Sequence, residues 1–125
     1  MEDQPKQQAA SSGAEDLSVE YANNVFFEPT VWDLKLIFGE FSARKGSVDW
    51  HTSITVPWEQ AKLMMYYLML NIAARELQTG TKIAIAPSML PPEPDAPSGP
   101  DDTAVNRAFY EIVKDHRQRF LESLK

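Results

Sequence analysis

Between Leu63 and Ala74 the chain runs for twelve residues with Asn71 as the only polar side chain. The run lies inside WEQAKLMMYYLMLNIAAREL, a stretch of strong helix formers. Pro57 stands where a first helical residue is expected, and Thr79-Gly80 supplies a glycine stop, so the spacing predicts a helix of about five turns. A helix on a soluble protein usually shows one apolar stripe, whereas this one is apolar nearly all round. A single sheet covers one side of such a helix and leaves the rest for another element or another molecule. Twelve apolar residues also fall short of the roughly 20 needed to cross a bilayer, so no membrane span is expected.

The residues before the helix read as strands. SVEYANNVFFEP places Val19, Tyr21 and Val25 on one parity and ends at the turn signal Pro29-Thr30. VWDLKLIFGEF sets Trp32, Leu34, Leu36 and Phe38 against Asp33 and Lys35, the period of two of a half-buried strand. After SARKGS, VDWHTSITV sets Val48, Trp50, Thr52, Ile54 and Val56 against Asp49, His51, Ser53 and Thr55. Short connections between these runs predict a three-stranded antiparallel meander, and KIAIA (82–86) is expected to add a fourth strand at an edge.

The ends of the chain read differently. Residues 1–17 are rich in Gln, Ser, Ala and Gly, hold no apolar anchor before Leu17, and are expected to be a disordered tail. Six prolines between Ala86 and Asp102 remove backbone donors and favour extended geometry, so residues 88–102 read as a semi-rigid acidic linker beyond an α+β domain at 18–87. The last segment, 103–125, reads as a helix capped by Thr103 or Asp102, with Val105, Phe109, Ile112, His116, Phe120 and Leu124 at spacings of three and four. The fold class that follows is α+β: a sheet of three or four antiparallel strands packed by one long helix, plus a tethered C-terminal amphipathic helix.

Function is narrowed mainly by exclusion. A chain of 125 residues allows one domain of ordinary size. Twelve Lys and Arg against eighteen Asp and Glu give a net charge of -6, which offers little hold on phosphate backbones or anionic lipid, so neither nucleic acid nor membrane is an expected partner. With no cysteine there is no disulfide, thiol nucleophile or Cys-ligated metal, which fits a reducing compartment. The N-terminus lacks the basic start and apolar run of a secretory signal, so a cytoplasmic protein is expected. His51 and His116 lie in different elements and neither has a second ligand at metal spacing; His51 reads as a solvent-facing strand residue and His116 as part of the helix stripe. Asn23 and Asn24, rare types inside a strand, read as hydrogen-bonding residues at a turn or bulge. Glu59, Gln60 and Lys62 suit the first turn of a helix and need no chemistry. No nucleophile has an identifiable base, so neither catalysis nor a cofactor is expected.

Two blocks carry a family likeness: YANNVFFEPTVWDLKLIFG, with Tyr21-Ala22-Asn23, Asp33 and Phe38-Gly39, and ITVPWEQAKLMMYYLMLNI, with Pro57, Ala61, Lys62 and Asn71-Ile72. In order and spacing they resemble the small prokaryotic proteins grouped as domain-of-unknown-function family 3467, over residues 19–87. Val56 departs from the Ser or Thr that often precedes the helix-starting proline there. The resemblance implies a bacterial protein with a compact strand, strand, strand, helix unit and no known activity. The order of elements alone is also similar to that of SecB-type export chaperones.

The expected function is therefore a non-enzymatic oligomeric interaction or adaptor module, a homodimer or dimer of dimers with room for a protein partner; the alternative is a SecB-like chaperone holding unfolded clients in an apolar groove. Met and Tyr are types favoured at adaptable contact surfaces. The expected interface residues are Leu63, Met64, Tyr67, Leu70 and Ala74 on the long helix and Phe109, Ile112 and Phe120 on the last.

Overall fold

The computed structural model describes residues 17–125; the tail expected at 1–17 therefore lies outside the described residues except for Leu17. Strands β1 (Asn24–Pro29), β2 (Asp33–Ser42) and β3 (Ser47–Pro57) form an antiparallel sheet in the order β1-β2-β3. Helix α1 (Trp58–Thr79) follows directly, and helix α2 (Ala104–Ser123) closes the chain. The α+β class is as the sequence implies. Two compact units, Met1–Met64 and Met65–Lys125, divide the chain within helix α1.

The β1-β2 turn is fixed by one side chain. Thr30 Oγ1 accepts from the N–H groups of Trp32 (3.1 Å) and Asp33 (3.0 Å) and donates to Asp33 Oδ1 (2.8 Å), closing the loop locally. Trp58 at the start of α1 donates its indole N–H to Thr30 O at 3.0 Å, so the same turn also holds the entry of the helix. β1 is shorter than the sequence suggests. At Asn23 the side chain replaces the ladder, its Oδ1 accepting Phe41 N–H at 2.9 Å. This is the hydrogen-bonding role expected of an asparagine at the end of a strand.

β3 departs from simple alternation. Phe38 pairs with Thr52 while Gly39 pairs with Trp50, which leaves His51 as the extra residue of a β-bulge. The bulge turns the first half of β3 over. Leu34, Leu36 and Phe38 therefore share one face with Val25, Phe27, Ile54 and Val56, whereas Trp50 crosses to the opposite face, its ring centroid 5.8 Å from that of Phe26. Trp50 was expected on the face of Ile54. Strict alternation fails because one inserted residue reverses every side chain before it.

KIAIA does not form the expected fourth strand. The reason is local: Glu76, in the last turns of α1, accepts the Ile83 N–H at 2.8 Å through Oε2 and lies 3.9 Å from Lys82 Nζ through Oε1. The carboxylate takes the donor that a sheet would need. Gly80, with φ 73°, supplies the left-handed residue that ends α1 where the sequence placed its stop.

The proline-rich segment belongs to the second unit and follows helix α2. Pro91, Pro94 and Pro97 are half-buried with exposed pairs of residues between them, the three-residue period of a polyproline II helix, and Leu90, also half-buried, has its dihedrals at φ -66° and ψ 146°. On α2 the half-buried residues are Tyr110, Val113, Arg117 and Leu121, followed by Leu124 just past its end. Two arginines clamp the pair: Arg117 Nε donates to Pro91 O at 3.0 Å, and Arg107 Nη2 donates to Pro97 O at 3.3 Å and to Asp102 Oδ1 at 3.0 Å. Six polyproline residues span about 19 Å. Ten helical residues span about 15 Å, and the reach of the arginine side chains makes up the difference. Thr103 caps α2 as expected, its Oγ1 accepting Asn106 N–H at 3.1 Å.

Two outcomes are expected. A Cβ at Gly39 would lie 2.7 Å from both Asp49 O and Val48 Cγ1, so Gly39→Ala is expected to lower stability by about 1–3 kcal/mol, seen as a reduced urea midpoint. Arg117→Ala removes the Pro91 clamp and is expected to speed limited proteolysis within residues 90–98 at least several-fold while leaving the far-UV spectrum unchanged. Equal cleavage of both proteins would contradict the clamp.

Candidate interaction surface

The described residues hold very little interior. Leu36, 7% exposed, is the single buried hydrophobic side chain among them, and no polar or charged side chain is buried. Among the described residues no side chain of α1 or α2 is buried. The sheet is apolar on both faces as a consequence of the bulge. On one face Val25, Phe27 and Ile54 remain about half exposed, and on the other Phe26, Phe41 and Trp50 do. Fully burying such a side chain contributes about 1.5–3 kcal/mol, so completing the half-burial of these six is worth roughly 5–9 kcal/mol. That is comparable with the net stability of a whole domain, about 5–15 kcal/mol.

On the first face, residues 18–22 approach the bulge. His51 Nε2 lies 3.0 Å from Tyr21 O and its Nδ1 lies 2.7 Å from Thr52 Oγ1, a pairing in which Nε2 donates to the carbonyl and Nδ1 accepts from the hydroxyl. His51 keeps the exposed position expected of it, and these two contacts add a structural role. Ser18, Glu20 and Ala22 line a shallow depression with Phe38, His51 and Ile54. His116 instead has its Nδ1 2.9 Å from Ile112 O, one turn back on its own helix.

The interface residues expected from the sequence are all at least partly accessible. Leu63, Leu70 and Ala74 on α1 are exposed, whereas Met64 and Tyr67 are half-buried, with Tyr67 packed edge-on against Tyr66 at 5.1 Å between centroids. Phe109, Ile112 and Phe120 on α2 are exposed. The proline segment covers the adjacent face of α2, so the apolar stripe at Val105, Phe109, Ile112 and Phe120 stays open while Tyr110 and Val113 are covered. Sequence periodicity reveals the open stripe and not the covered one, because by composition the polyproline partner has the character of a spacer. The three-residue spacing of Pro91, Pro94 and Pro97 was the available signal.

Within the second unit one depression joins both helices. Met69, Ile72 and Ala73 of α1, Ile83 and Ile85 of the following segment, and Phe120 and Leu124 of α2 line a volume of about 380 Å³, with Glu76 and Lys82 among its polar residues. The structure thus brings Phe120 to a face of α1 other than that of Leu70 and Ala74. Surface ion pairs such as Lys45–Asp49 (3.0 Å) and Arg119–Asp115 (2.8 Å) are exposed, and pairs of this kind contribute about 0–1 kcal/mol.

Among the described residues no group of three or more His, Asp or Glu side chains is placed to hold a metal ion. Among the same residues no helix is long and apolar enough to cross a membrane. No protein-family model, curated protein or solved structure matches the chain.

Proposed function

We propose that this chain is a non-enzymatic interaction module of the bacterial cytoplasm that assembles with copies of itself, as a dimer or dimer of dimers, and docks a protein partner through the resulting surface. The observation that carries the reading is the near absence of a buried core among the described residues, against many half-exposed aromatic and aliphatic side chains on the sheet and helices. Apolar surface of this extent marks sites of association. A second copy is always present at the concentration of the first, which makes self-association the simplest source of the missing burial.

The apolar depression between α1 and α2 supports the second reading, a SecB-like chaperone, since an unfolded segment presents side chains suited to it. The two readings separate by experiment. Self-association is expected in sedimentation at micromolar concentration, and Leu70→Asp is expected to shift the population to smaller species, because an unpaired charge in a dry contact is costly. A monomeric wild-type protein would overturn the reading. Suppression of the aggregation of an unfolded client by the wild-type protein would favour the chaperone instead.

A further inference from the structure

We propose that the outer edge of β3 is where two copies join, β3 against β3 in antiparallel pairing, to give a continuous six-stranded sheet. The proposal rests on the homo-oligomeric reading and assigns its contact. β2 settles which groups of β3 are free. Asn23 N–H donates to Gly39 O and Phe41 N–H donates to Asn23 Oδ1, so odd-numbered residues of β2 present their backbone groups to β1 and even-numbered ones to β3. Leu34, Leu36 and Phe38 pair with Val56, Ile54 and Thr52, which turns the N–H and C=O of Ser53 and Thr55 outward. Among the described residues no backbone hydrogen bond reaches that edge.

The two edges of the sheet differ in what they permit. β1 has six residues, carries Glu28, and ends in Pro29, the features that blunt an edge. β3 has eleven residues, its own proline, Pro57, stands at the far end and leaves Ser53 and Thr55 free, Asp49 is its single charge, and Lys45 Nζ already lies 3.0 Å from that carboxylate. A two-fold axis at Ser53 sets Thr52 of one copy beside Ile54 of the other and brings no like charges opposite each other. The two Asp49 carboxylates then stand eight residues apart along the ribbon, roughly 27 Å. That separation is well beyond the screening length of about 8 Å at physiological salt. A second copy suits this edge better than an unrelated strand because the isologous pairing satisfies both copies at once and closes. It also extends both apolar faces of the sheet without a seam.

Ser53→Pro removes an outward donor and breaks no bond to β2, so the variant is expected to keep its far-UV spectrum while halving the assembled mass in sedimentation, with association at least tenfold weaker. In the full-length wild-type chain the amides of Ser53 and Thr55 are expected to exchange slowly at high protein concentration and to lose that protection on dilution. An oligomer that persists in Ser53→Pro, with those amides exchanging freely in the wild type, would overturn the β3 contact and leave self-association standing. A wild-type monomer would overturn both. Protection that survives dilution to the monomer would assign the edge to a segment of the same chain, and would overturn the proposal as well.

Discussion

A single inserted residue in β3 sets the terms for the first unit. With His51 bulged out between Trp50 and Thr52, the strand presents Trp50 to one face of the sheet and Ile54 and Val56 to the other. Two adjustments make room for it. Gly39 lacks the Cβ that would strike Asp49 O and Val48, so the backbones approach closely, and His51 finds partners in Tyr21 O and Thr52 Oγ1. The result is a sheet with aromatic side chains on both sides, which no single packing layer can cover.

The second unit meets a shortage of partners by another route. Polyproline geometry needs no internal hydrogen bonds, so its carbonyls are free to accept from side chains. Arg107 and Arg117 use those of Pro97 and Pro91, and the proline rings between them shield Tyr110 and Val113. Ordering such a segment costs less entropy than ordering an ordinary loop, because φ is already fixed by each ring. An acidic stretch that resembles a spacer thus serves as the cover for one side of a cationic helix, and the charges on the two elements, -4 on residues 91–102 and +2 on residues 103–125, favour the pairing.

Which parts of this were legible in the sequence follows from the range of the interactions that decide them. The three strands, the glycine stop at Gly80 and the cap at Thr103 depend on neighbours a few residues away, and composition and spacing reveal them. The bulge depends on how β3 lies against Gly39, twelve residues before His51 in the chain, and KIAIA looks like a strand until Glu76 claims the Ile83 donor. The proline cover was hidden for a related reason: its period is three, and only a partner helix shows which of six prolines face inward. Of the expected interface residues, Leu70, Ala74, Phe109 and Ile112 stand open, while Met64 and Tyr67 are half-covered, a difference that helical spacing alone does not resolve.

The distribution of exposed apolar groups bears on why association would stop at a defined size. A flat, two-sided apolar sheet with two free edges invites open-ended stacking, the route to fibres. Here the edges are unequal. Pro29 and Glu28 blunt β1, so pairing through β3 uses up the longer edge and leaves an outer rim that does not accept a further strand easily. The bulge adds local twist to β3, which works against flat stacking of one sheet on the next. The same residues that leave little core among the described residues would, in a pair joined through β3, favour closure over an open array, and helix α1, apolar nearly all round, lies directly after β3. Joining two sheets in this way would supply burial that the described residues of one chain do not reach.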